Sequence, residues 1–234
     1  MQVMREQKFG EGSGVKTTRA SAVYFDLRDE ILDGSLEPEA RLSARDLSAR
    51  FQTGLSPVRE ALNRLAMEGL AQHSDNRGFV VSPVSLSELL DLTQARCWMN
   101  DLGIRRSIEL GDAAWEERVL VSCHRLSRTP RAGPDQVGPT PEWSIAHRAY
   151  HQALVSACGS KWLIETCDQL FDAAERYRSL ARLAGASRSD PRDEHQEIMT
   201  AALDRDADTA AKFLSDHFTR TADLVRTVVG EAGS

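Results

Sequence analysis

Apolar positions recur at helical spacing through most of the chain, most clearly between Ser56 and Leu70. There Val58, Ala61, Leu62, Leu65, Ala66 and Leu70 form one stripe, while Ser56, Arg59, Asn63 and Arg64 fall largely off it. Ser56 stands where an N-cap belongs. Pro57 takes the first helical position, where its missing N–H costs nothing, and Glu60 lies near the positive helix end. Upstream, Val23, Leu27, Ile31 and Leu32 share one face of a helix that stops at Asp33-Gly34. Ser43 caps a further helix from Ala44 to Phe51, with Leu47 and Phe51 turned inward. Only Gln52 to Leu55 separates it from the stretch at Ser56, which predicts a helix-turn-helix. Two short extended segments, Gly69 to His73 and Gly78 to Ser82, flank Ser74 to Arg77 as a β-hairpin. Three helices and a two-stranded wing make residues 19–82 a winged helix-turn-helix, preceded by a flexible tail over residues 1–18.

Beyond the boundary at Ser82-Pro83-Val84-Ser85 the pattern stays helical. Ser85 and Glu88 form a capping box for a long helix from Leu86 to Leu110, which Gly111 ends. Asp112 caps a second, about Ala113 to Leu126. Ser127 to Pro141 is rich in proline and glycine and predicts a loop. Helices follow at Glu142 to Cys158, Lys161 to Leu183, Pro191 to Leu203 and Ala207 to Val229. The expected fold is mainly α: the winged unit, then an all-α bundle of about six helices over residues 85–230.

Composition changes this picture little. The chain of 234 residues is 41% hydrophobic and 27% charged, an ordinary globular balance. No apolar run approaches a membrane span and no signal segment opens the chain, so a cytoplasmic protein without a membrane partner is expected. Cys97, Cys123, Cys158 and Cys167 lack zinc-finger spacing and are read as reduced thiols. The net charge of −6 argues against a protein that coats nucleic acid generally. A local basic cluster, Arg45, Arg50, Arg59, Arg64 and Arg77, is still compatible with duplex DNA, through salt-sensitive phosphate contacts. A helix buried on one side, with Ser and Arg at its start, suits the major groove; the alternative is a surface helix with solvated arginines.

Histidine is the second chemical signal. His147 and His151 are four apart on one helix and so lie on one face. His195 and His217 each lie eleven residues from the turn near Asp206, so the chain rises and returns by the same ~16 Å. Four of the six histidines can therefore converge, as ligands of a divalent transition metal: zinc first, with nickel, copper or iron as alternatives.

The residues from Val23 to Val81 resemble the DNA-binding domain of the GntR transcription regulators. The shared pattern runs through Gly34, Leu42-Ser43-Ala44-Arg45-Asp46-Leu47, Ser56-Pro57-Val58-Arg59-Glu60-Ala61-Leu62, Glu68-Gly69-Leu70 and Arg77-Gly78. The resemblance implies DNA contacts from Arg45, Ser56, Pro57, Arg59, Arg77 and Gly78. Where the family has Ser-Arg this chain has Gly54-Leu55, and loss of a bidentate Arg–guanine pair removes roughly 1–3 kcal/mol of base discrimination.

Residues 85–229 resemble the FCD effector domain of the FadR branch. That resemblance implies a metal site at His151, His195 and His217, with His147 where relatives carry Asp or Asn. It also places Arg96 in an effector cavity, with Asn100 replacing a family Glu. A guanidinium beside a metal matches a small carboxylate. Arg176, Tyr177 and Arg178 are read as a solvated face, and the four tryptophans as packing residues.

The function expected is a dimeric, ligand-responsive transcription regulator, a repressor on a palindromic operator, controlled by a small carboxylate metabolite. Two alternatives are a metal-dependent enzyme on the bundle and a regulator whose metal is purely structural. Against the first, His147-Arg148-Ala149-Tyr150-His151 lacks the Glu of H-E-x-x-H.

Overall fold

A computed structural model describes residues 18–75, 78–131, 139–183 and 192–231, with side chains to residue 226. The chain divides into two compact units. One comprises residues up to Asp29 together with Ala40–Ser82, and the other comprises Glu30–Glu39 with the chain from Pro83 onward.

The helix α1 (Arg19–Asp33), which belongs to the first unit as far as Asp29, begins before the apolar period does, and in the same unit α2 (Ala44–Arg50) and α3 (Leu55–Met67) form the helix-turn-helix. Ser43 caps α2 by accepting from Asp46 N. Its counterpart at α3 differs from the sequence expectation: the N-cap is Gly54, extended at φ −76° and ψ 166°, and no side chain caps the helix. Leu55 and Ser56 therefore sit in the first turn, with Pro57 third. Pro57 stays harmless there because the first four N–H groups have no helical partner in any case. Val58, Ala61, Leu62 and Leu65 are fully buried, and each large aliphatic side chain so placed contributes roughly 1.5–3 kcal/mol.

The wing is β2 (Ala71–Ser74) against β3 (Gly78–Val81), antiparallel, with His73 opposite Phe79. A third strand was not foreseen. β1 (Arg41–Leu42) pairs with the other edge of β3, Leu42 opposite Phe79, so the sheet order is β1-β3-β2. Two residues are too short to show a period of two, and only the buried Leu42 hints at it.

The second unit holds six described helices: α4 (Leu86–Leu110), α5 (Ala113–Arg128), α6 (Pro141–Val155), α7 (Lys161–Leu183), α8 (Arg192–Leu203) and α9 (Ala207–Glu231). Ser85, Asp112 and Thr140 each accept a hydrogen bond from the backbone N–H three residues on, which fixes where α4, α5 and α6 start. The core gathers Ile104 and Ile108 of α4, Trp115 and Val119 of α5, Tyr150 and Leu154 of α6, Ile198 of α8, and Leu214 and Phe218 of α9. Trp115 and Trp143 are buried as expected, whereas Trp98 and Trp162 are 61% and 73% exposed, so packing does not explain that pair. All four cysteines are free thiols. No described helix is long and apolar enough to cross a membrane.

Candidate metal centre and nucleic-acid interface

The first turn of α3 is presented outward because its stripe of Val58, Ala61, Leu62 and Leu65 faces the opposite way. Leu55, Ser56 and Arg59 are exposed, as is Arg45 on α2, while Pro57 is half-buried. A groove runs between α3 and the wing, lined by Arg41, Ser43, Arg59, Asn63, His73 and Gly78. Arg41 and His73 were not singled out in the sequence, and Asn63 was read only as a polar position off the apolar stripe, since the three are scattered across three elements. Gly78 opens β3 at φ +75°, a conformation that favours glycine. Arg77 lies outside the described residues.

Arg64 requires a correction. Its guanidinium carbon sits 3.8 Å over the Tyr24 ring and Nη1 donates to Ser21 Oγ at 3.3 Å. Tyr24 in turn donates to Glu68 at 2.5 Å. Arg64 thus ties α3 to α1 and does not belong with the outward basic cluster.

In the second unit α6 supplies His147 and His151, α8 supplies His195 and α9 supplies His217. One nitrogen from each can be chosen so that all four lie within 4.8 Å of one another, and all four residues are buried. His147 Nε2 and His151 Nε2 are 3.0 Å apart, and the separations between ring centroids run from 4.6 to 6.3 Å. Ligands about 2 Å from a single ion are at most ~4 Å apart, so this donor set fits a divalent ion after side-chain adjustments of under about an ångström.

Neighbouring groups hold three of the four histidines in place. Trp143 stacks on His147 with centroids 4.5 Å apart and an angle of 18°. The His195 carbonyl accepts from Tyr150 Oη at 2.8 Å and from Cys123 Sγ at 3.8 Å. His217 Nδ1 pairs with Glu194 Oε2 at 2.7 Å, and Glu194 Oε1 lies 2.8 Å from Arg220. Burial, and then the neighbouring imidazoles, hold His147 and His151 well below the ordinary histidine pKa. Neutral imidazole is the form that ligates metal. The Nδ1 atoms of His147 and His151 are buried without a hydrogen bond among the described residues.

Arg96 of α4 lines a cavity of about 50 Å³ together with His147, His217, Phe218, Glu175 and Arg178. It is 5% exposed, its guanidinium carbon is 3.9 Å over the Phe218 ring, and its Nε has no hydrogen bond among the described residues. Burial, followed by the like charge of Arg178, brings its pKa down to about 9. Asn100 does not line this cavity. Its amide donates to the Arg96 carbonyl at 3.0 Å, one turn back on the same helix.

The segment Arg176-Tyr177-Arg178 is not a solvated face. Arg176 and Tyr177 are buried at 5% and 3% exposure, Tyr177 donates to Glu88 at 2.6 Å, and Arg178 reaches the cavity. Glu175 bridges Arg178 Nη2 at 2.6 Å and Arg182 Nη2 at 3.0 Å. Burial alone would raise its carboxyl, yet the two arginines outweigh that and bring it to about 2. In the sequence Phe171, Glu175, Arg178 and Arg182 share one face of α7, a pattern that a solvated face shows equally.

Residues 19–81 match the bacterial regulatory proteins of the gntR family, and residues 91–220 match the FCD domain. The chain is 36% identical to the HTH-type transcriptional regulator BphR of Paraburkholderia xenovorans, over 88% of this chain and 84% of that one. It is 31% identical to the HTH-type transcriptional repressor GlaR of Escherichia coli, over 87% and 94%. A crystal structure of a GntR transcriptional regulator from Rhodococcus sp. RHA1 shares the fold, with a TM-score of 0.71, 23% identity, and 88% and 97% of the two chains covered. The relatives are regulators and not enzymes, which sets aside the metal-dependent enzyme weighed from the histidines.

Proposed function

As the chain belongs to the GntR family of bacterial regulatory proteins and carries an FCD domain, it is a DNA-binding transcription regulator, and we propose that a small organic acid controls it at a metal site. The observation that carries this reading is the meeting of four buried imidazoles beside Arg96, a buried guanidinium whose Nε has no hydrogen bond among the described residues. His147, His151, His195 and His217 would hold a divalent transition ion, zinc in the first instance. When bound, the ion would act as a Lewis acid that polarises and anchors a carboxylate oxygen. Four neutral ligands leave its charge uncompensated, so an anion is favoured to complete the coordination. The Arg96 fork can donate parallel hydrogen bonds to the same carboxylate and orient it.

The protein acts in this reading as a homodimeric repressor, placing two α3 helices in successive major grooves of a palindromic operator. Ser56, Arg59 and Arg45 meet the duplex, while Arg41 and His73 flank the groove beside the wing. GlaR, to which the chain is similar over most of its length, is a repressor, which supports the same sign here. The carboxylate switches the regulator only to the extent that it binds the operator-competent and operator-incompetent arrangements with different affinity.

Calorimetric titration of hydroxy acids, sugar acids and dicarboxylates into zinc-loaded protein tests the site. A carboxylate that binds wild type, and fails on both Arg96→Ala and His151→Ala, is the expected result. Binding that survives both substitutions, or a tightly held metal with no carboxylate bound by any member, overturns the reading in favour of a structural ion.

A further inference from the structure

The cleft between α3 and the wing differs in charge from the chain as a whole. It has a volume of about 500 Å³, and Arg41 of β1, Arg59 and Asn63 of α3, and His73 of β2 line it together with Ser43. None of the described residues lining it is acidic, although the chain carries a net charge of −6. Arg41 and Arg59 take part in no ion pair among the described residues. The other polar side chains are donors as well. Ser43 Oγ accepts from Asp46 N at 3.3 Å and keeps its own proton to donate. The Asn63 amide and the His73 ring each add an N–H. His73 lies against Phe79, with ring centroids 4.1 Å apart, and that contact steadies the imidazole beside the cleft.

We infer that one sugar-phosphate strand of the bound duplex runs through this cleft, held by Arg41 and His73 on one side and by Arg59 and Asn63 on the other. The inference rests on the reading of α3 as the helix that enters the major groove, and it adds Arg41, Asn63 and His73 as backbone contacts. A sugar-phosphate strand walls off each major groove from the adjoining minor groove, so the protein surface that flanks α3 meets phosphates. Asn63 stands seven residues beyond Ser56, which places it ~10 Å farther along the helix axis. The major groove is only ~8.5 Å deep, so with the first turn at the base edges Asn63 is level with the strand. Arg41, Arg59, Asn63 and His73 are all exposed. An exposed cation holds a lone anion weakly in water, whereas a polyanion covers all four side chains at once and releases its counterions.

The test uses full-length protein and two probes, a duplex that the wild type enriches from a randomised pool and a short duplex of unrelated sequence. Asn63→Ala and His73→Ala are expected to lower affinity for both duplexes by the same factor, roughly tenfold. Arg41→Gln should reduce the slope of log affinity against log salt by about one. Enrichment by each variant should return the wild-type sequence. Single phosphates of the enriched duplex are also replaced by neutral methylphosphonates, which should weaken the wild type at a short run of adjacent linkages. At those linkages His73→Ala should lose nothing further. Thermal midpoints are recorded for every variant, and the methylphosphonate scan of the wild type depends on no variant at all. Variants that bind both duplexes as the wild type does, or a scan in which no linkage couples to His73, would overturn the cleft as the path of the strand. A changed enriched sequence in Asn63→Ala or His73→Ala would assign that residue to a base edge, against the inference, and leave α3 in the major groove. A wild type that prefers no sequence would overturn the major-groove reading and the inference with it.

Discussion

His217 Nδ1 and Glu194 Oε2 lie 2.7 Å apart, and Arg220 holds the other oxygen of that carboxylate at 2.8 Å. The pair joins α9 to α8, the two helices that supply the last two histidines. With Nδ1 engaged by a carboxylate, ligation falls to Nε2, and the ring is both oriented and made more basic. Adjacent helical residues point about 100° apart, so Glu194 cannot follow its neighbour His195 into the centre; it reaches His217 instead.

Replacing Glu194 by Gln should therefore weaken zinc binding by about 10–100-fold without removing a ligand. Competition against a chromophoric chelator measures it. Unchanged affinity would mean that the Glu194–His217 contact does not orient the ligand.

Protons oppose the same centre. In metal-free protein His147 and His151 have pKa values lowered chiefly by burial, whereas in the unfolded chain they titrate near the ordinary value of about 6.5. Below that pH the unfolded state binds more protons, so stability rises with pH across the window. The contribution of the two histidines is complete above about pH 6.5 and is lost as pH falls towards their lowered folded values. Urea midpoints of metal-free protein should drop between about pH 7.5 and pH 5.5, and a His147→Phe, His151→Leu double variant should show a flatter profile. Equal slopes for the two proteins would contradict the assignment.

At the DNA face the informative residue is Leu55, 47% exposed in the first turn of α3, where the GntR pattern has arginine. Restoring that residue as Leu55→Arg should add a guanine preference worth roughly 1–3 kcal/mol at one position per half-site. Selection from randomised duplexes by wild type and variant reads this directly. Identical selected sequences would mean that the first turn of α3 does not meet base edges.

Arg59 is exposed one turn further along α3, and the proposed operator complex gives it at least a phosphate contact. Arg59→Ala is expected to lower operator affinity and to reduce the slope of log affinity against log salt by about one. A variant with the wild-type slope and affinity would place Arg59 outside the interface.

Local rules made much of this protein legible in its sequence. Ser43, Ser85 and Asp112 cap where their spacing predicts, because the bond to the N–H three residues on involves only neighbours. The histidines were legible for a related reason: one pair is four apart, and the other is symmetric about a tight turn, so helical rise alone brings them level. Hidden features depended on distant partners. β1 is two residues long and exists only through β3, far along the chain. Gly54 replaces Ser56 as the cap of α3 although it has no side chain to offer the helix. The Glu175, Arg178 and Arg182 stripe resembles a solvated helix face, since periodicity cannot tell an ion-paired wall from a surface. Arg64 was misassigned likewise, because nothing local reveals the Tyr24 ring beneath it.

The most direct test of the central claim is operator occupancy, followed by fluorescence anisotropy, as a binding carboxylate is added to zinc-loaded and to chelator-stripped protein. Linkage requires that a ligand which shifts operator affinity have its own affinity shifted equally by the operator. The account expects release of operator from the zinc-loaded wild type, and no response in the stripped protein or in Arg96→Ala. Operator affinity that stays constant while the carboxylate saturates its site, or that falls equally without metal, would contradict it.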